Sequence, residues 1–286
     1  MKVAAEYFEP AEELAGPVIS DDKRRAWLKL ARSFALRGLS VALCLYLWQV
    51  ACSHGWHFIV QFQNLPTPAE VVRSAAALGD NPQLAGHVFN SVRRIFIGFG
   101  LATAFAIPIG LLIGRFRLAE DALIAPLEVL RPIPAVAWIP VAILMFTTPE
   151  QSMVFITFIG AFFPILLSTI HGVESLDRRL IFASMTLGAG PLAVFREVIL
   201  PGSLPSIITG LSIGMGTSWF SLVTAEMISG QFGIGYFTWE SYTLQNYPDI
   251  ILGMLAIGIL GMGSSLLVKR IGRIFVPWTQ TSLHRE

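Results

Sequence analysis

Six apolar runs, each close to the length needed to cross a bilayer, leave this chain few folds to choose from. A hydrocarbon core of ~30 Å takes about 20 helical residues. The runs lie at about Arg37 to Ser53, Val88 to Gly114, Ala122 to Phe146, Ser152 to His171, Ile207 to Ser229 and Ile250 to Val268, with turn residues or charges between them. Composition agrees: of 286 residues, 54% are hydrophobic and 14% charged, with a mean hydropathy of +0.64, far from a soluble domain. The expected fold is all-α, a polytopic membrane protein with about six transmembrane helices.

The net charge of +1 says little, whereas the positions of Lys and Arg beside the spans set orientation. Placing the N-terminus in the cytoplasm puts Lys23, Arg24, Arg25, Lys29, Arg32, Arg37, Arg115, Arg117, Arg178, Arg179, Arg196, Lys269, Arg270 and Arg273 inside, leaving Arg73, Arg93 and Arg94 outside. Both termini are then cytoplasmic. The first 20 residues are acidic and lack the apolar region of a cleavable signal peptide. Residues 23–35 read as a basic amphipathic helix, with Trp27, Leu30, Ala31 and Phe34 on one face. Such a helix lies along the inner leaflet before the chain turns into the bilayer, or is a solvated leader. Between the first two spans, Pro66 and Pro68 hold an extended entry to a short helix over Ala69 to Leu78, too polar to cross.

Catalytic chemistry has little to work with. Cys44 and Cys52 are eight residues, about 12 Å, apart along one span, too far for an intrahelical disulfide. The five histidines show no metal-ligand spacing, and there is no paired-carboxylate or nucleophile–base set. No GxxxxGK[ST] phosphate loop occurs, so any ATP that powers this protein is bound by another chain.

Several residues inside the spans stand out. In RPIPAVAWIP, Arg131, Pro132, Pro134, Trp138 and Pro140 crowd the third span, which should be kinked or locally unwound. Irregular backbone at that depth must be buried in protein or line a cavity, which makes the segment a candidate pathway wall. Arg131 either pairs with Glu128, three residues earlier, or guides an anion. Glu226, near the outer end of the fifth span, either shapes a polar gate or reaches water. Thr217, Ser218 and Trp219 lie deeper and offer donors to an oxyanion or to backbone carbonyls. Gly110 with Gly114, Gly210 with Gly214, and Gly258, Gly261 and Gly263 suit close helix packing, or at a few positions a point where helices slide during gating.

The segment ASMTLGAGPLAVFREVILPGSLP, Ala183 to Pro205, lies between two spans. GVESLDRRLIFASMTLG reads as a helical pattern ending at Gly188, and PLAVFREVIL as a second helix that begins at Pro191 and is stopped by Pro201. Two short helices joined by a Gly-rich turn form a knob that fits a cleft in a partner.

This loop resembles the "EAA" loop of ABC-importer permeases. The order LPTPAEV, SVRRIFIGF, IPIGLLIGR, RPIPAVAWIPVAI, GAFFPILLSTIHGV, TLGAG, VILPGSLPSIITGLSIG and AEMI, from about Leu65 to Trp278, resembles the nitrate, sulfonate, taurine and bicarbonate branch of that family. The resemblance implies a type I ABC importer permease fold in a bacterial inner membrane. It also implies a second permease copy as homodimer partner, two cytoplasmic ABC ATPase subunits that bind the ATP and Mg, and an external binding protein that delivers a small oxyanion. No cofactor is expected in this chain and no nucleic-acid partner. The residues it marks for ATPase coupling are Ala183, Ser184, Leu187, Gly188, Ala189 and Pro201. One departure is plain: Phe182, Ala183 and Ser184 stand where the family usually has Glu-Ala-Ala. The expected organisation is a cytoplasmic N-terminal segment over 1–36, the first span and external helix over 37–86, a permease core over 87–279 with its coupling loop at about 172–205, and a tail over 280–286. The competing class, an ion-coupled secondary carrier, calls for midplane acids and internal repeats that are scarce here.

Overall fold

A computed structural model describes residues 18–55, 65–78, 82–229 and 231–278. The expected N-terminal leader before residue 18 and the tail over 280–286 lie outside them. Among the described residues every regular element is helical. Among the same residues five helices are long and apolar enough to cross a membrane, or six where a bent pair is counted as one broken span.

The first of two units, which ends at Ala69, holds α1 (Val18–Ser53), a single helix of 36 residues. The basic stretch from Lys23 and the apolar run that ends at Ser53 belong to this one helix. The reason is local, since no proline and only Gly38 interrupt this stretch.

In the second unit, which begins at Glu70, the bundle is built on α3 (Pro82–Arg115), α6 (Pro149–Glu174) and α9 (Leu200–Ser229). Lipid tails are as apolar as Leu, so helices in a membrane meet through close backbone approach. Here α6 receives glycines from both sides. A Cβ on Gly98, Gly110 or Gly114 of α3 would come within 2.6 to 2.7 Å of Thr157, Thr169 or Val173 of α6, and one on Gly210 of α9 within 2.5 Å of Ser168. Gly110, Gly114, Gly210 and Gly214 are therefore packing residues, whereas Gly258 and Gly263 face open space in this chain. Replacing Gly110 by leucine is expected to push α3 off α6 at a cost of about 1–3 kcal/mol. A drop in the thermal midpoint of the purified protein will show it, with Gly258→Leu close to neutral as control.

The third span is broken more sharply than a kink. Helix α4 (Arg117–Leu130) ends, Ala135–Trp138 form one 3-10 turn that runs into α5 (Ile139–Met145), and the combined segment Ala135–Met145 leaves at 84° to α4. Pro132 and Pro134 lack the N–H groups that would continue α4, and Pro140 suits the first turn of α5.

After α6 come α7 (Arg178–Thr186) and α8 (Pro191–Val194). Pro201 does not stop the second loop helix, as its sequence suggested. A π-turn over Phe195–Ile199, in which the Leu200 N–H bonds the Phe195 carbonyl, joins α8 to α9. Pro201 then falls in the first turn of α9, where a missing N–H is tolerated. The fifth span is thereby extended through the loop, from Pro191 to Ser229. Helices α10 (Ile234–Thr243) and α11 (Tyr247–Phe275) complete the chain, and α2 (Pro68–Leu78) rests on α11 through Ser74, which bonds Asp249.

Candidate functional site

The loop between α6 and α9 folds as a knob with its own small core. Asp177 caps α7, its carboxylate accepting from the Arg179 N–H at 2.9 Å. The other end of α7 closes with the Gly188 N–H bonding the Met185 carbonyl and the Ala189 N–H bonding that of Ser184, both at 3.0 Å. This pairing needs a left-handed residue, and Gly188 has φ +83°. Beneath the turn, Ile181, Ala189 and Phe195 pack with Val173 of α6, Val194 of α8 and Ile199 of the π-turn. Above it the surface is apolar: Leu180, Phe182, Met185 and Leu192 are well exposed, and Leu187 is 88% exposed. Exposed apolar patches of this kind mark interaction sites.

Of the coupling residues expected from sequence, Ala183, Leu187 and Gly188 lie on that surface. Ser184 and Ala189 are half-buried, the Ser184 hydroxyl donating to the Ile181 carbonyl at 2.8 Å. Pro201 stands apart, half-buried in α9. Beside the knob lies a cavity of about 600 Å³ whose charged lining is Arg115, Glu120, Glu174 and Arg178.

The opposite end of the bundle holds a buried charge pair. Arg94 of α3 and Glu226 of α9, 1% and 0% exposed, pair at 2.8 Å. Arg94 also donates to the Phe232 carbonyl and to Glu150 at the start of α6, which in turn binds Arg93 at 2.9 Å. Ser91 donates to Glu226 at 2.7 Å, and the Gly235 N–H does so at 2.9 Å. The first amides of α10 thus find partners on other helices: Gly233 N–H on His87 Nδ1, Ile234 N–H on Ser91 Oγ, and Gly235 N–H on Glu226. A buried helix start must have such partners. Gly233, with φ +144°, leaves no room for a Cβ, which would overlap the Glu226 carboxyl.

Sequence reasoning left open whether Glu226 reaches water, and it does not. Arg94 was assigned to the outside and its role was missed. The available signal was Glu226 itself, because an acid inside a span needs a cation or donors, and Ser91 and Arg94 share one face of α3 at i and i+3.

The remaining pathway candidates divide. Thr217 donates to the Gly160 carbonyl of α6 at 2.7 Å, Ser218 to that of Thr157 at 3.3 Å, and Trp219 Nε1 to Ser264 of α11 at 2.8 Å. Their donors are spent on helix packing. At the broken span, Arg131 and Glu128 are both exposed, and neither belongs to an ion pair found among the described residues. Trp138 packs edge-on against Phe155, and its indole N–H is buried without a hydrogen-bond partner.

Residues 106–281 match the family described as the binding-protein-dependent transport system inner membrane component. The nitrate import permease protein NrtB of Synechocystis sp. is 32% identical over 251 residues, 85% of this chain and 89% of its own. A protein named as an aliphatic sulfonates transport permease, SsuC, of Escherichia coli is 32% identical over 232 residues, 81% of this chain and 87% of its own. In fold, the chain resembles the MetNI methionine ABC transporter in inward-facing conformations, with a TM-score of 0.50 and 21% identity over 66% of this chain and 97% of that one.

Proposed function

The chain belongs to the inner-membrane components of binding-protein-dependent transport systems, and on that premise we propose that it imports a small oxyanion, of the nitrate or sulfonate type, across a bacterial inner membrane. It is an ABC transporter permease subunit of type I fold. In the proposed assembly two identical copies form the pathway, two ATPase subunits dock on the two α7 knobs, and an external binding protein delivers the anion at the opposite end. Both termini and the knob are then cytoplasmic.

One observation carries the coupling role: a rigid, glycine-closed knob presents Phe182, Met185, Leu187 and Leu192 outward while its core is fastened to α6. Closure of an ATPase dimer on that face moves the end of α6, and α6 is in continuous contact with α3 and α9. The ATPase binds the nucleotide and Mg; the permease turns that motion into a change in the side to which the pathway opens, by biasing one packing over another. The missing Glu at Phe182 makes this contact apolar rather than charged. For the anion, the broken third span supplies the candidates, since the Trp138 indole N–H has no hydrogen-bond partner and Arg131 no ion pair among the described residues. The substrate class rests on the relatives named for nitrate and aliphatic sulfonates.

The test is ATPase activity of the full-length chain co-purified with its ATPase in lipid, with binding proteins loaded with nitrate, taurine, an alkanesulfonate or bicarbonate. Stimulation by one loaded binding protein and not by its empty form is expected. Uptake of labelled anion under an ion gradient, with no ATPase present, would instead identify a secondary carrier.

A further inference from the structure

An apolar groove of about 380 Å³ runs between α3 and α6 on the outside of the bundle. Its floor is Ile97 and Leu101 of α3, one and two turns beyond Arg93, with Phe155 and Phe158 of α6. Phe105, edge-on to Phe158 at 6.4 Å, carries the stripe another turn. From Arg93 to Phe105 is about 18 Å along the helix, close to the ~15 Å of hydrocarbon in one leaflet. The volume falls in the range of small-ligand sites, roughly 300–1,000 Å³.

The mouth of the groove is charged on both sides. Arg93 and Glu150, 47% and 40% exposed, face each other at 2.9 Å. Glu150 is held from behind by buried Arg94, so its position is set by the bundle. Arg93 donates one hydrogen bond to Glu150, which leaves most of its guanidinium N–H groups to a ligand. The rim therefore offers one cation and one anion side by side at the end of a hydrocarbon slot. A neighbouring helix at this depth would seldom bring both charges, whereas a zwitterionic headgroup carries them on one molecule.

We infer that the groove binds one phospholipid with a primary-amine headgroup of the ethanolamine type. An acyl chain lies between α3 and α6, the phosphate sits on Arg93 and the ammonium on Glu150. A choline headgroup has no N–H to donate to Glu150. A glycerol headgroup brings negative charge to a carboxylate without a cation to offset it.

Native mass spectrometry of the delipidated full-length chain, offered equal amounts of ethanolamine, choline and glycerol phospholipids with matched acyl chains, tests this. Ethanolamine lipid should be retained about fivefold to tenfold over the others. Glu150→Gln, which removes the charged partner of the ammonium, should bring it down to the choline level, and Arg93→Ala should weaken retention of all three lipids because each carries a phosphate, while Leu101→Trp, which fills the slot, should remove one bound lipid whatever its head. Arg93 is half exposed, so Arg93→Ala is expected to fold even where Leu101→Trp does not. Equal retention of the three lipids by the wild type, an unchanged preference in Glu150→Gln, undiminished retention in Arg93→Ala, or a photo-crosslinker at Ile97 that captures a second copy of the chain rather than lipid would each overturn the assignment.

Discussion

Arg94→Ala is expected to be the most damaging single substitution in the chain, costing about 3–5 kcal/mol. The side chain removed is 1% exposed and bonds Glu226, Glu150 and the Phe232 carbonyl together. What remains is a carboxylate at Glu226 with no exposure and no counter-charge, and taking such a charge from water without compensation is the large term. The thermal midpoint of the purified protein should collapse and the amount recovered from membranes should fall with it. Arg94→Lys should rescue little, because one ammonium cannot span three acceptors as a planar guanidinium does. Adding Glu226→Gln to Arg94→Ala should recover much of the loss, since the amide keeps an oxygen for Ser91 and Gly235 and carries no charge. A loss below about 1 kcal/mol in Arg94→Ala would mean that Glu226 is already neutral or solvated, and the network would then not organise this end of the bundle.

The second large effect is expected at the knob, on function rather than folding. Leu187, the most exposed apolar side chain of the turn at 88%, should be a central contact of the proposed ATPase interface. Leu187→Asp places a charge in a surface that must be desolvated on docking. Hot-spot losses of about 2 kcal/mol or more correspond to roughly 30-fold weaker association, read as lost ATPase co-purification and lost transport with an unchanged thermal midpoint. Gly188→Val acts by another route. It meets no atom within 4 Å, so there is no clash, but its φ of +83° strains any β-branched residue by about 1–3 kcal/mol and reshapes the turn. Gly190→Ala, at φ −71° and also in open space, is the control and should couple normally. Full ATPase association by Leu187→Asp would move the docking surface away from α7.

The two predictions differ in how far their residues could be read in advance. The knob was legible because its signals are local. Asp177, Gly188 and Pro191 act on amides within a few residues of themselves, so their spacing is enough to place the start and stop of short helices. Pro201 was misread for a related reason. Whether a proline ends a helix depends on its place in the turn, and the π-turn over Phe195–Ile199 that moved it into a first turn leaves no mark in the sequence.

The apolar runs and their lengths, the glycine pairs and the proline-broken third span by themselves determined an all-α membrane bundle of about six spans with a structured loop. Such features are set by what a segment needs from its solvent, and hydrocarbon demands the same of any chain. Only the tertiary structure decided what each polar side chain does inside that bundle. Thr217, Ser218 and Trp219 turned out to be spent on neighbouring helices, Trp138 kept a free donor, and Arg94, which reads as a span-end charge, closed on Glu226 from 132 residues away. The pairing of a buried charge depends on which helices pack together and in what rotation, and that is set by contacts distant in sequence, among them those of the α3 and α9 glycines on α6.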